Sequence, residues 1–197
     1  MQYSYLNLCL IYCNFIMTKE ELGLLYPIKL VPYNPDWAVI YKKEIKHLLH
    51  ILGPKVALHF EHIGSTAIPA ISAKPTIDIL IEIPSNFDPD FIISKMNDNG
   101  YIHMKEQLRH LMFVKGYSPT GIAKLSFHIH MGPVSQDWLW DRVYFRDYLI
   151  NNPTEASLYE SLKKELALKY KNDREAYTDM KADYIKRITD LAKKVLQ

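Results

Sequence analysis

Asp78 lies inside an apolar run, Thr76-Ile77-Asp78-Ile79-Leu80-Ile81, where a carboxylate is costly to bury unless a cation compensates it. It can hold a metal ion, activate a hydroxyl as a base, or pair with an arginine. Upstream, Gly64-Ser65-Thr66 separates two apolar runs. Such a turn can offer backbone N–H groups and two hydroxyls to a phosphate, because glycine allows close backbone approach. It can equally be a tight turn that caps a helix. Downstream, Ser126-Phe127-His128-Ile129-His130 sets two imidazoles on one face of a strand. Histidines at i and i+2 can bind a metal, hydrogen-bond a phosphate ester, or simply stand on the strand surface.

The spacing limits the metal chemistry. Along a strand, side chains two apart share a face at ~6.6 Å and those four apart at ~13 Å. Asp78, Leu80 and Glu82 therefore share a face. A divalent ion in phosphoryl or nucleotidyl transfer is gripped by two carboxylates at the closer spacing, since both must reach it at ~2.0–2.1 Å. Leu80 takes that closer position, and Glu82 is too far along to share an ion with Asp78.

Several elements must position these residues. Residues 28–33 form a short apolar run that Pro32 confines to an edge strand. Asn34-Pro35-Asp36 then opens a helix over residues 37–52, in which Val39, Ile40, Ile45, Leu48, Leu49 and Leu52 follow a helical repeat. Gly53-Pro54 ends it. Residues 56–63 read as a strand, and residues 76–83, β-branched on both faces, as a central one. A helix over 90–99 is stopped by Gly100, and strands are expected at 101–104 and 111–115, with a hairpin turn near 116–119. Residues 125–131 alternate, with Leu125, Phe127, Ile129 and Met131 on one face and Ser126, His128 and His130 on the other. From Trp138 the pattern is helical, in three segments at 138–151, 153–170 and 173–196. The order defines an α+β domain with a helical C-terminal region.

The 197-residue chain is 48% hydrophobic and 23% charged with a formal net charge of +2, the composition of one ordinary globular domain. That charge gives no electrostatic signal for nucleic acid or a membrane, so any phosphate must meet local basic residues. Cys9 and Cys13 have no second pair to complete a four-cysteine zinc site, and a reducing, cytoplasmic setting is expected. Residues 1–16 lack the basic start and cleavage site of a signal peptide. They are also shorter than the ~20 apolar residues of a membrane span. Met17 reads as the functional start, with residues 1–16 a non-essential extension and residues 17–197 a single domain.

Glu61-His62-Ile63-Gly64-Ser65-Thr66-Ala67-Ile68-Pro69 followed by Ala73-Lys74-Pro75-Thr76-Ile77-Asp78-Ile79 resembles the signature of the GrpB family, within the nucleotidyltransferase-like superfamily. Val31-Pro32-Tyr33-Asn34-Pro35-Asp36-Trp37, His128-Ile129-His130, Phe145-Arg146-Asp147-Tyr148-Leu149 and the block from Asp173 to Thr178 with Lys181 extend the match from about Pro27 to the C-terminus. The resemblance implies a mixed β-sheet flanked by helices, in which the Gly-Ser turn cradles a phosphate and the following strand presents metal-binding acids. The superfamily pattern expects Asp-x-Asp or Asp-x-Glu there, so Leu80 departs from it.

The resemblance makes Gly64, Ser65 and Thr66 the phosphate cradle, Lys74 a charge partner of phosphate or of Asp78, and Asp78 and Ser65 the catalytic candidates. It sets His128 and His130 near Asp78 as a metal site, with His62 as a further ligand. Such N/O donors suit Zn or Mn better than a Mg pair. Arg146, Lys163, Tyr177 and Lys181 are expected to close over the phosphates of a nucleotide or other phosphorylated small molecule. Three functions are compatible with this set. One is metal-dependent transfer of a nucleotidyl or phosphoryl group, and another is a non-catalytic module binding a nucleotide or coenzyme-A precursor. The third is a metal-dependent phosphoesterase. Family members fused to dephospho-coenzyme A kinase suggest the precursor by analogy, and the chain has no G-x-x-x-x-G-K-[ST] loop of its own.

Overall fold

The computed structural model describes residues 17–104 and 110–196. Cys9, Cys13 and the expected N-terminal extension lie outside them. Helix α1 (Lys19–Leu25) is followed by α2 (Asp36–Leu52), strand β1 (His59–Ile63), a 3-10 turn (Ser65–Ala67), β2 (Thr76–Glu82) and α3 (Pro89–Asp98). Strands β3 (Ile102–His103), β4 (Leu111–Ser118) and β5 (Gly121–Gly132) come next, and then helices α4 (Asp137–Asn151), α5 (Pro153–Lys169), α6 (Arg174–Asp179) and α7 (Ala182–Leu196). The strands form one sheet in the order β1-β2-β5-β4-β3. Only the β2–β5 pair is parallel. The mixed sheet, its flanking helices and the helical C-terminal region match the expectation.

One face of the sheet is dry. Ile77, Ile79 and Ile81 of β2 and Ile129 and Met131 of β5 are buried beside Phe113 of β4, under Trp37, Leu48 and Leu52 of α2 and Ile92 and Met96 of α3. Each such side chain contributes about 1.5–3 kcal/mol by leaving water. The opposite face carries Thr76, Asp78 and Leu80 in register with Ser126, His128 and His130. Alternation sorted these residues correctly, and the parallel pairing places His128 directly beside Asp78.

Three groups of helices share that second face. Leu22 of α1 and Tyr26 just beyond its end pack on Ile102, Met112, Val114 and Tyr117. Leu139 of α4 covers Leu80 and Ile63. Phe145 and Leu149 of α4, Ala156 and Tyr159 of α5 and Ile188 of α7 form a further cluster around Ile68 and Ile71.

Several boundaries differ from the sequence expectation for local reasons. Residues 28–33 make only an isolated bridge, Val31 to Ala73, since Pro32 lacks an N–H to continue a ladder. The strand expected from residue 56 begins at His59, because the amides of Val56 and Ala57 turn back to Gly53. Gly116, expected in the hairpin turn, sits in a bulge between Lys115 and Tyr117, and the strands run on to pair Ser118 with Gly121. The last expected helix breaks at Met180–Lys181 into α6 and α7. Helix α1 was not anticipated, although Thr18 and Glu21 form a reciprocal capping box at its start.

Candidate functional site

A cavity of about 580 Å³ lies between the β2–β5 face and the C-terminal helices. Gly64 stands at its floor with φ 71° and ψ −174°, a region nearly restricted to glycine. A β-carbon there would lie 2.2 Å from Asp78 Oδ2. The turn can thus press against the carboxylate only because residue 64 has no side chain. Thr66 donates its hydroxyl to the Thr76 carbonyl at 3.0 Å, so His62 Nε2, 3.1 Å from the same oxygen, must be the donor in that second bond. His62 also stacks on Tyr41 at 4.7 Å, and burial pushes its pKa down to about 4.

Asp78 begins a buried polar chain. Its Oδ1 lies 3.2 Å from His128 Nδ1, and His128 Nε2 lies 2.8 Å from the Tyr117 hydroxyl, which receives a bond from Arg174 Nη2 at 3.3 Å. Burial holds the His128 pKa below its ordinary value despite Asp78, so the ring is neutral. A carboxylate can only accept. The proton of the neutral His128 ring therefore sits on Nδ1, facing Asp78, and Nε2 is left to accept from the Tyr117 hydroxyl. Both imidazole nitrogens are engaged.

Three lysines share the cavity with Asp78. Lys74, Lys163 and Lys181 all line the cavity. The ammoniums of Lys181 and Lys74 lie over the same Tyr177 ring, 4.1 and 5.4 Å from its centre. Lys163, buried at 1% exposure, donates to the Ser72 carbonyl at 2.5 Å. Burial is the largest cause of lowered pKa in all three. Repulsion from Arg174, Lys181 and Lys163 adds to it at Lys74, repulsion from Lys181 brings Lys163 to about 7, and Arg174 helps bring Lys181 to about 8. No carboxylate of the described residues lies within ion-pair distance of any of the three.

The expected metal set does not assemble. His130 turns its Nδ1 toward His110 Nε2 at 3.4 Å, and His62 Nε2 bonds Thr66. The position of a second acid is Leu80, fully buried against Ile63 and Leu139. Among the described residues, no three His, Cys, Asp or Glu side chains converge to hold an ion. The donor set thus does not fit the divalent metal expected from the sequence resemblance.

The cavity lining includes Gly64, Ser65, Thr66, Lys74, Asp78, His128, His130, Lys163, Tyr177 and Lys181. Arg146 stands apart from it. Its guanidinium donates to Glu61 Oε2 at 2.6 Å, to the His62 carbonyl at 2.7 Å and to Asp147 at 2.7 Å, which ties α4 to β1. The hydroxyl of Thr66 likewise holds the turn, while the Ser65 side chain lines the cavity and hydrogen-bonds Tyr159. Sequence reasoning did not assign Arg174 or Tyr117. Arg174 lies within the Asp173–Thr178 block that resembles the family, whereas Tyr117 falls in the expected hairpin turn at 116–119 and stands instead in β4, paired with Ile122.

An α+β domain whose mixed sheet and C-terminal helices enclose a lysine-rich cavity beside a Gly-Ser turn is the class defined by this fold and site. The chain belongs to the GrpB family, whose family model, described as GrpB protein, matches residues 27–191. It is 37% identical to a UPF0157 protein of Pseudomonas aeruginosa over 82% of this chain and 66% of that one, so it spans just under two thirds of that relative's length. Its identity to the glutamate-rich protein GrpB of Alkalihalophilus pseudofirmus is 35% over 81% of this chain and 92% of the relative. The crystal structure of GrpB from Enterococcus faecalis superposes with a TM-score of 0.75 at 30% identity, covering 86% of this chain and all of that one. Among the described residues, no helix is long and apolar enough to cross a membrane.

Proposed function

We propose that this protein binds a phosphorylated, nucleotide-sized small molecule, with its phosphates at Lys74, Lys163, Lys181 and Ser65. The observation that carries this reading is the convergence of three lysines, none paired with a described carboxylate, on one cavity. Like charges gathered in a poorly hydrated space repel one another and lower each other's pKa. A polyanion relieves that repulsion and supplies the missing hydrogen-bond acceptors. The cavity is also of the size that houses small-molecule ligands, ~300–1,000 Å³.

A second reading, transfer of a phosphoryl or nucleotidyl group, is favoured by Asp78. Its carboxylate leans on the Gly64-Ser65 turn and is oriented from behind by His128, as a base acting on a hydroxyl of a bound ligand must be. In either reading the same cavity takes the phosphates.

A thermal-shift screen against ATP, ADP, dephospho-coenzyme A and their unphosphorylated nucleosides tests the proposal. Ligands carrying two or more phosphate charges should raise the melting temperature in proportion to RT ln(1 + [L]/Kd), and nucleosides should not. Stabilisation by nucleosides alone, or by none of these compounds, would overturn it.

A further inference from the structure

We propose that the three lysines take the place of divalent metal in this cavity, so that the phosphate-bearing ligand binds as a free polyanion without a metal ion. This inference rests on the phosphate-binding reading above and adds the form in which the phosphate is recognised. Two features of the site support it, one concerning donors for a cation and one concerning charge.

Donors for a cation are lacking. Asp78 has His128 against one oxygen and the backbone of residue 64 beneath the other. Leu80, at the second ligand position, is fully buried by apolar neighbours. A hard divalent ion needs several oxygens at short range, and one partly engaged carboxylate cannot supply them.

Charge points the same way. Lys74 and Lys181 both lie against the ring of Tyr177, and Lys163 reaches the same cavity from α5. Of the other carboxylates lining the cavity, Asp141 is paired with Lys193 and Asp190 with Lys186, and Asp179 is exposed. The three lysines, in ion-pair contact with none of them, therefore leave an excess of cations beside Asp78. A metal ion entering beside them would be repelled, whereas a diphosphate group would be held by up to three ammoniums.

The test is calorimetric titration of inorganic pyrophosphate into the full chain, once in EDTA and once in millimolar MgCl2, with MnCl2 and ZnCl2 as further arms. Binding in EDTA at least as tight as in magnesium is expected, because Mg²⁺ neutralises the charge that the lysines read. Lys181→Met should weaken binding in EDTA about tenfold, the consequence of losing one charge-assisted contact. Lys74→Met serves as a second variant, with the thermal melt confirming that each folds. Binding that requires a metal ion would overturn this inference and leave the phosphate-binding reading standing. Absence of binding under every condition would overturn both. Undiminished binding by both folded variants in EDTA would remove the lysines from the site and overturn the inference.

Discussion

Asp78 and Gly64 are fitted to each other, with Asp78 Oδ2 2.2 Å from the point that a β-carbon on residue 64 would occupy. The glycine is also held at φ 71° and ψ −174°, so Gly64→Ala meets both a backbone penalty of about 1–3 kcal/mol and a clash with the carboxylate. The clash, unlike the backbone penalty, should disappear when the carboxylate is removed. In a double-mutant cycle, Asp78→Ala is expected to recover about 1 kcal/mol of the loss caused by Gly64→Ala. Urea unfolding midpoints of the four proteins measure this, and additive losses would mean that the two residues do not press on one another.

The Asp78–His128–Tyr117 chain separates simple binding from group transfer. Asp78→Asn removes one negative charge while keeping the side-chain shape. If the cavity only holds a polyanion, pyrophosphate should bind as tightly as before or a few-fold tighter, since a negative charge beside the lysines is removed. If Asp78 acts as a base, the same variant should leave binding intact and abolish product formation with any phosphoryl donor that turns over. Calorimetry combined with phosphate-release chromatography on one preparation distinguishes these results. A large loss of affinity in Asp78→Asn would contradict both.

Arg146 is a brace between elements. Its bonds to Glu61, the His62 carbonyl and Asp147 fix α4 against β1, and its side chain is 13% exposed. Arg146→Met leaves Glu61 half-buried without its strongest partner and should cost about 2–3 kcal/mol of stability. Pyrophosphate affinity should stay within about twofold, because the guanidinium does not line the cavity. A tenfold fall in affinity at unchanged stability would return Arg146 to the ligand site, where motif resemblance alone had placed it.

Much of this arrangement was legible in the sequence because it depends on alternation. Ile77, Ile79 and Ile81 against Thr76, Asp78 and Leu80 fix which face of β2 is dry, and the same rule sorts β5. What alternation cannot give is strand register. The parallel offset that puts His128 beside Asp78, and leaves His130 to turn toward His110, is set by tertiary packing. For this reason an Asp-His-His metal site looked consistent in one dimension and does not assemble in three. The lysine cluster was legible only in part. Lys74, Lys163 and Lys181 were each candidates, but long-range folding brings them to one cavity, and nothing in an isolated basic residue distinguishes a converging ammonium from a solvated one.

The lysines also make a prediction about pH. In the folded chain Lys163 titrates at about 7 and Lys181 at about 8, whereas the unfolded chain holds those protons to about 10.4. Between these values the unfolded state binds more protons, so unfolding free energy rises with pH. The burial penalty is present in full below about pH 7 and is progressively relieved toward pH 10. Tyr41 and Tyr159, both pushed up to about 12 by burial, act in the opposite sense above pH 10, where unfolding lets them ionise. The ligand-free protein should therefore be more stable at pH 9 than at pH 7, by about 1–3 kcal/mol, and lose stability again above pH 10. Lys163→Met should be more stable than wild type at pH 7 and show a flatter rise to pH 9. Saturating pyrophosphate should flatten the wild-type rise as well, because a bound anion favours the charged ammoniums. Urea titrations at pH 7, 8, 9 and 10.5 follow this profile. A wild-type stability that falls steadily from pH 7 would show that the three ammoniums are not held in the anion-deficient cluster proposed for the cavity.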